Sequence, residues 1–354
     1  MPYPVHGRST EVVVDTEAIV HNVRLLRSLV APADVWAVVK ADGYGHGDGD
    51  VARAAVAAGA RGLCVALVGE GMRLRERAAI PETTPILVLS EQPEAELDAL
   101  VRHRLDATVY TVEQVTALAA AARRSAVGTV SVHVKVDTGM GRVGVAPADV
   151  AALCDAIDAD DVLRPAGVMS HLAVADEPDH PGTDQQLGVF AEVVDEVQAR
   201  GGAWSHAAVH VANSAAGLTR PDAHRDLVRA GIALYGISPS PAVSAAASGL
   251  RPALSWVSKV SFVKRVASGT PVSYGWTHLC EAATTLATVP VGYADGVPRD
   301  LAVRGGEVLI GGRRCRIVGR VRPAAEFATC TAACDHAPPR ACTASTTSAN
   351  TASC

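Results

Sequence analysis

The chain reads as an α/β protein, an eight-stranded (β/α)8 barrel of the TIM type followed by a smaller, mostly β unit. Three observations carry that reading. Apolar, strand-like runs recur eight times between residues 35 and 233, and most are separated by alanine-rich segments of helical period. Strands alternating with helices imply a parallel sheet, and eight such repeats are the number that closes a barrel. After Tyr235 the alternation stops and strand-like runs follow one another without helices. A doubly wound open sheet is the alternative for the first part.

In chain order, residues 9–14 alternate into a short strand and 16–29 have a helical pattern. The eight runs are 35–40, 62–67, 85–89, 107–110, 130–136, 166–171, 207–212 and 227–233. Residues 239–252, rich in Pro, Ser and Ala, read as a linker. The β-type runs are 253–266, 285–291, 307–310 and 314–318. The expected units are therefore a barrel, 1–240, and a β-rich unit, 241–321, with the strand near 9–16 able to join the second. Residues 322–354 contain no Val, Leu or Ile and are built from Ala, Thr, Ser, Pro and Cys. Such a segment buries too little apolar surface to offset its ordering entropy and is expected to be largely disordered.

Composition narrows the function. The 354 residues carry a net charge of −5, and no basic stretch is interleaved with aromatic residues, which argues against nucleic-acid binding. No apolar run reaches membrane-spanning length and the first ten residues lack the apolar core of a leader, so a cytoplasmic protein is expected. Cys64, Cys154, Cys280 and Cys315 are scattered singly, as in a reducing compartment. Cys330, Cys334, Cys342 and Cys354 crowd the end, but their spacing beside His336 is irregular and no metal site is expected.

The chemistry centres on Lys40. It closes the apolar run Val35-Trp36-Ala37-Val38-Val39 and is followed at once by a glycine-rich turn. A lysine there either snorkels outward or is kept as a neutral nucleophile joined to a carbonyl cofactor. Barrel enzymes gather functional groups at the carboxyl ends of their strands. Lys135, Arg142 after the fifth run, His171, Asn213-Ser214 and Arg229-Ala230-Gly231-Ile232 all fall at such positions. Each has a plain reading: a core histidine, a helix N-cap, a surface ion pair. Their convergence on one rim is what the plain readings leave unexplained.

The string Lys40-Ala41-Asp42-Gly43-Tyr44-Gly45-His46-Gly47 resembles the pyridoxal-phosphate lysine motif of the alanine racemases, and the resemblance spans about residues 11–321. It implies pyridoxal 5'-phosphate bound through Lys40, with Tyr44, Asn213, Ser214 and the backbone at Gly231 and Ile232 at the phosphate. It implies Arg229 on the pyridine nitrogen, Arg142 on the phenolic oxygen near the substrate carboxylate, and carbamylation of Lys135 as a means of orienting that arginine. Pro271-Val272-Ser273-Tyr274-Gly275 matches the family's second base, with His171 supporting Tyr274, and Tyr293 would line the entrance. The implied activity is interconversion of L- and D-alanine for peptidoglycan by two bases, Lys40 and Tyr274 of the partner in a head-to-tail homodimer. A related racemase acting on another small amino acid such as serine, a barrel that binds the cofactor without racemising, and an inactive chain are the alternatives. The last is motivated by the end of the chain. After Val321 the family's pattern breaks off and Arg322-Pro323-Ala324-Ala325 begins a stretch of different composition, which reads as a change of reading frame that leaves the β unit short of strands.

Overall fold

The protein is described by a computed structural model covering residues 9–125, 127–321, 330–334 and 343–346. It divides into two compact units, one formed by Asp15–Ala253 and the other by the chain before Asp15 together with the chain from Leu254 on. The first strand, β1 (Glu11–Val14), pairs antiparallel with β10 (Leu254–Lys259) in the second unit.

The first unit is a parallel barrel. Its strands are β2 (Asp34–Val38), β3 (Gly62–Val65), β4 (Ile86–Val88), β5 (Ala107–Val109), β6 (Val130–Lys135), β7 (Leu163–Met169), β8 (Ala208–His210) and β9 (Leu227–Ala230). They form two four-stranded ladders, β4-β3-β2-β9 and β5-β6-β7-β8. Two seams join the ladders into a ring. Val88 N–H donates to Asp106 O at 3.0 Å between β4 and β5, and Arg229 N–H donates to Ala212 O at 3.1 Å between the end of β8 and β9. Strands β3 and β4 are buried along their whole length, as a sheet covered on both faces requires. Amphipathic helices supply the cover. In Thr16–Val30 the Asp15 carboxylate caps the start, accepting from Glu17 N–H at 2.9 Å and Ala18 N–H at 3.2 Å.

The boundary between units lies at Leu254 rather than near residue 241. The stretch expected to be a linker is tied to the barrel instead. Buried Asn22 donates to Leu234 O at 3.0 Å and Arg251 O at 2.8 Å and accepts from Arg251 N–H at 2.8 Å, and Ala253 N–H donates to Tyr235 O at 3.0 Å.

In the second unit the strands after β10 are β11 (Phe262–Val266), β12 (Pro271–Val272), β13 (His278–Leu279), β14 (Thr284–Val289), β15 (Glu307–Ile310), β16 (Arg313–Val318), β17 (Cys330–Cys334) and β18 (Thr343–Thr346). An eight-stranded antiparallel sheet runs in the order β1-β10-β18-β15-β16-β17-β14-β11, and β12 and β13 form a separate hairpin. Val260, Ala287, Val289, Val308, Ile310 and Ile317 belong to its core. Strands β17 and β18 add two short ordered pieces to a stretch expected to be largely disordered. Backbone groups of β14, β16, β10 and β15 need partners, and main-chain ladders can supply them without large apolar side chains. The rest of that stretch lies outside the described residues.

Candidate active site

Lys40 does not end its strand; it opens the turn that follows. Ala41, Asp42, Gly43 and Tyr44 have φ of 53°, 54°, 61° and 54°, a run of left-handed residues in which only one is glycine. Such a conformation costs about 1–2 kcal/mol per non-glycine residue, so something must impose it. Glu70 does much of this. Its buried carboxylate accepts from Ala41 N–H at 2.6 Å, Ala66 N–H at 2.8 Å and Leu67 N–H at 3.2 Å. Asp42 Oδ1 accepts from Asp48 N–H at 3.1 Å, closing the far side of the turn. The Tyr44 ring lies 4.9 Å from that of buried Tyr235, whose O–H donates to Val38 O at 3.0 Å. Lys40 is thereby held half-buried, with Nζ 6.0 Å from the Tyr44 ring centre.

Arg229, in β9, is only 4 % exposed. Its Nη1 donates to His210 Nδ1 at 2.7 Å and His210 O at 3.1 Å. Its Nη2 donates to Ser170 O at 2.7 Å, Val211 O at 3.3 Å and His171 Nδ1 at 3.3 Å. Among the described residues no hydrogen bond engages its Nε–H. Burial pulls the guanidinium down to about 10, which leaves it charged at neutral pH.

The other groups named from sequence on this rim act on one another electrically. Lys135 ends β6 and donates from Nζ to Leu89 O at 3.1 Å. Burial, then the charges of Arg229, Arg142 and Lys40, pull its ammonium down to about 8. His171 lies past the end of β7. Burial, then Arg229, Arg142, Lys135 and Lys40, hold its imidazole at about 3, so it is neutral and receives the Arg229 proton donor. Arg142 itself is exposed on the loop after β6.

A cradle lies at the ends of β8 and β9. Ser214 Oγ accepts from Gly231 N–H at 2.9 Å and Ala233 N–H at 3.2 Å, which engages both hydroxyl lone pairs and leaves its O–H as a donor. The Gly231 N–H is thus committed inside the protein. A Cβ at Gly231 would lie 2.7 Å from Tyr44 Oη, so glycine keeps that space open. Asn213 takes its plain role as the N-cap of Ser214–Thr219, accepting from Ala216 N–H at 3.1 Å, and donates to Leu172 O at 3.3 Å. Ile232 begins the 3-10 turn Ile232–Tyr235 behind it.

Two of the sequence-predicted residues belong to the second unit. Tyr274 opens the short turn Tyr274–Trp276 and is 64 % exposed. Ser273 before it has φ 63° and its O–H donates to Arg320 O at 2.9 Å. Tyr293 opens Tyr293–Asp295 and is 43 % exposed.

Comparison with known proteins decides the family. The profile of "Alanine racemase, N-terminal domain" matches residues 14–239, and that of "Alanine racemase, C-terminal domain" matches 253–323. The chain is 46 % identical over 311 residues to an alanine racemase of Mycolicibacterium vanbaalenii, covering 87 % of this chain and 77 % of that one. It is 43 % identical over 315 residues to one of Thermobifida fusca, with 87 % and 81 % covered. The solved alanine racemase of Streptomyces coelicolor superposes with a TM-score of 0.86 at 38 % identity, over 96 % of this chain and 88 % of that one. The chain belongs to the alanine racemase family. Membership makes it an isomerase and agrees with the barrel-plus-β architecture.

The family's cofactor can be tested against the groups present. A rim that gathers Lys40, Lys135, Arg142 and Arg229 suits a phosphate and a phenolic oxygen. The Ser214 O–H and the space over Gly231 suit a phosphate oxygen, and the Arg229 Nε–H suits a ring nitrogen. The residues fit pyridoxal phosphate. Sequence reading missed Glu70 and His210. The signal for Glu70 is an acid in the first turn of Val68–Glu76, and for His210 a polar residue closing the apolar strand β8.

Proposed function

We propose that this protein racemises alanine on pyridoxal phosphate joined to Lys40, with Lys40 Nζ serving one face of the substrate Cα and the Tyr274 phenol oxygen of a second copy serving the other. When bound, the cofactor supplies an electron sink for the electron pair left on Cα. Lys40 Nζ takes or returns the proton on its face, and the Tyr274 oxygen does so on the opposite face, so that each base serves one enantiomer. Arg142 positions the substrate carboxylate, and Tyr293 narrows the entrance. Arg229 stays charged and can only donate to the ring nitrogen, so it withholds a proton from that atom and restrains loss of the product to transamination. Ser214, Asn213, Tyr44 and the backbone at Ile232 hold the phosphate, and Gly231, whose N–H is engaged by Ser214, keeps the space for it open. Lys135, pulled down to about 8, has a neutral amine fraction available near neutral pH and is the candidate for carbamylation.

The observation that supports this reading most strongly is the conjunction of Lys40 on an imposed left-handed turn with a buried arginine, Arg229, bonded to His171 and His210. Among the described residues no helix is long and apolar enough to cross a membrane. A cytoplasmic homodimer is part of the proposal, since the Tyr274 of one copy is to serve the Lys40 of another. The test is racemisation followed by chiral separation in deuterated water, with serine as the competing substrate. Deuterium at Cα of both enantiomers of alanine is expected. Faster turnover of serine would move the assignment to the related racemase.

A further inference from the structure

Arg229 presents a problem that its immediate partners do not solve. The described partners of its two Nη groups are carbonyl oxygens and neutral imidazole nitrogens, and a buried charge without a paired opposite charge is expensive. The hydrogen bonds continue beyond it. His133 Nδ1 lies 3.0 Å from His210 Nε2, with the two rings edge to face at 80°, and His133 Nε2 lies 3.8 Å from an Asp106 carboxylate oxygen. We propose that His210, His133 and Asp106 form a directed relay that positions Arg229, with Asp106 as the remote counter-charge of its guanidinium. The consequence for the cofactor rests on the reading of Arg229 as the residue at the ring nitrogen.

Only one proton arrangement satisfies the relay. The guanidinium can only donate, so His210 Nδ1 must accept. Neutral His210 then carries its proton on Nε2 and donates to His133 Nδ1. His133 in turn carries its proton on Nε2, aimed at Asp106. The last gap is longer than a hydrogen bond, and Asp106 acts across it by charge.

The barrel is built around this arrangement. The register between β6 and β7 shifts between Val132 and His133, and an irregularity of this kind re-aims the side chain. Opposite lies Gly167, where a Cβ would run into the His133 ring. Two apolar residues filling the same space would need neither feature. Asp106 precedes β5 and lines a cavity of about 280 Å³ with Ser131 and Arg164, at the strand ends away from Lys40.

The experiment uses the cofactor-loaded full chain with ¹⁵N-labelled histidine and arginine. His210 and His133 should each be protonated at Nε2 alone. In Asp106→Asn, which preserves size, the resonances of His133, His210 and the Arg229 Nη groups should all move. Turnover should fall about tenfold with KM unchanged, a change of about 1.4 kcal/mol, and keto-acid by-product should rise. A His210 proton on Nδ1, or a change confined to His133, overturns the relay, and thermal melting excludes a misfolded variant as the cause. His133→Leu, which cuts the relay at its centre, should reproduce the Asp106→Asn effect on Arg229; an unmoved Arg229 counts against the relay. Arg229→Lys separates the two readings. If the ¹⁵N resonance of labelled cofactor does not respond to it, Arg229 does not face the ring nitrogen, and the histidine tautomers still decide the relay.

Discussion

The two units carry their functional groups in opposite ways. In the barrel, Lys135 is 7 % exposed and Arg229 4 % exposed, and the turn after Lys40 is held by a buried carboxylate that accepts three backbone N–H groups. In the β unit, Tyr274 is 64 % exposed on a three-residue turn entered through a left-handed serine. Lys135, His171 and Arg229 are desolvated and oriented before any ligand arrives, and the lowered values of Lys135 and His171 follow from that surrounding. The tyrosine lacks that burial and stands open to solvent. Preorganisation belongs to the barrel, and adaptability to the β unit.

The harshest way to break the comparison is to remove Lys40. Lys40→Ala should abolish the visible absorbance of a lysine-bound cofactor and lower racemisation by more than the roughly 10⁴-fold that a single proton-transfer group supplies. A band that survives and is fixed to a different lysine by borohydride would move the attachment site.

Tyr274→Phe comes next. It should lower racemisation by roughly 10²–10⁴-fold and stop deuterium exchange from L-alanine while exchange from D-alanine persists. Equal loss for both enantiomers points to one base rather than two.

Truncation after Val321 tests the β unit's own support. It removes β17 and β18, both interior to the eight-stranded sheet. Hydrogen exchange should show β10, β14, β15 and β16 losing protection while the barrel strands keep theirs. Unchanged protection would mean that the last strands contribute nothing to the sheet.

Glu70→Ala sharpens the barrel side. Three partly buried N–H groups lose their acceptor, and the left-handed turn should relax. Cofactor retention should fall, with Glu70→Gln intermediate because one amide oxygen remains. Wild-type retention in Glu70→Ala would show that the turn holds itself.

The smallest effect is on acid stability. The folded protein holds His171 at about 3, below its ordinary value of 6.5. The unfolded chain therefore binds more protons between those limits. Stability from the neutral ring is complete above about pH 6.5 and drains away as pH falls towards 3, by at most roughly 1.4 kcal/mol per pH unit. Denaturant unfolding of His171→Gln over that range should show a shallower fall. Parallel curves would mean that the ring protonates without opposition.

Much of this protein was legible in its sequence. The eight-fold alternation, the change of pattern after Tyr235 and the Lys40 string are local, and period and motif are written in neighbouring residues. The rim residues could be read as well, because the end of each strand names its own candidate. Tertiary structure alone decided the rest. Glu70 meets Ala41 across 29 residues of chain, Arg229 meets Ser170 across 59, and His133 meets His210 across 77. Strands β17 and β18 come from a stretch whose composition predicts disorder, because a ladder recruits backbone rather than side chains. Ser214 turned out to be saturated as an acceptor, which no pattern of residues expresses. Burial, tautomer and strain depend on which distant atoms arrive at the same place, and only the closed barrel brings them there.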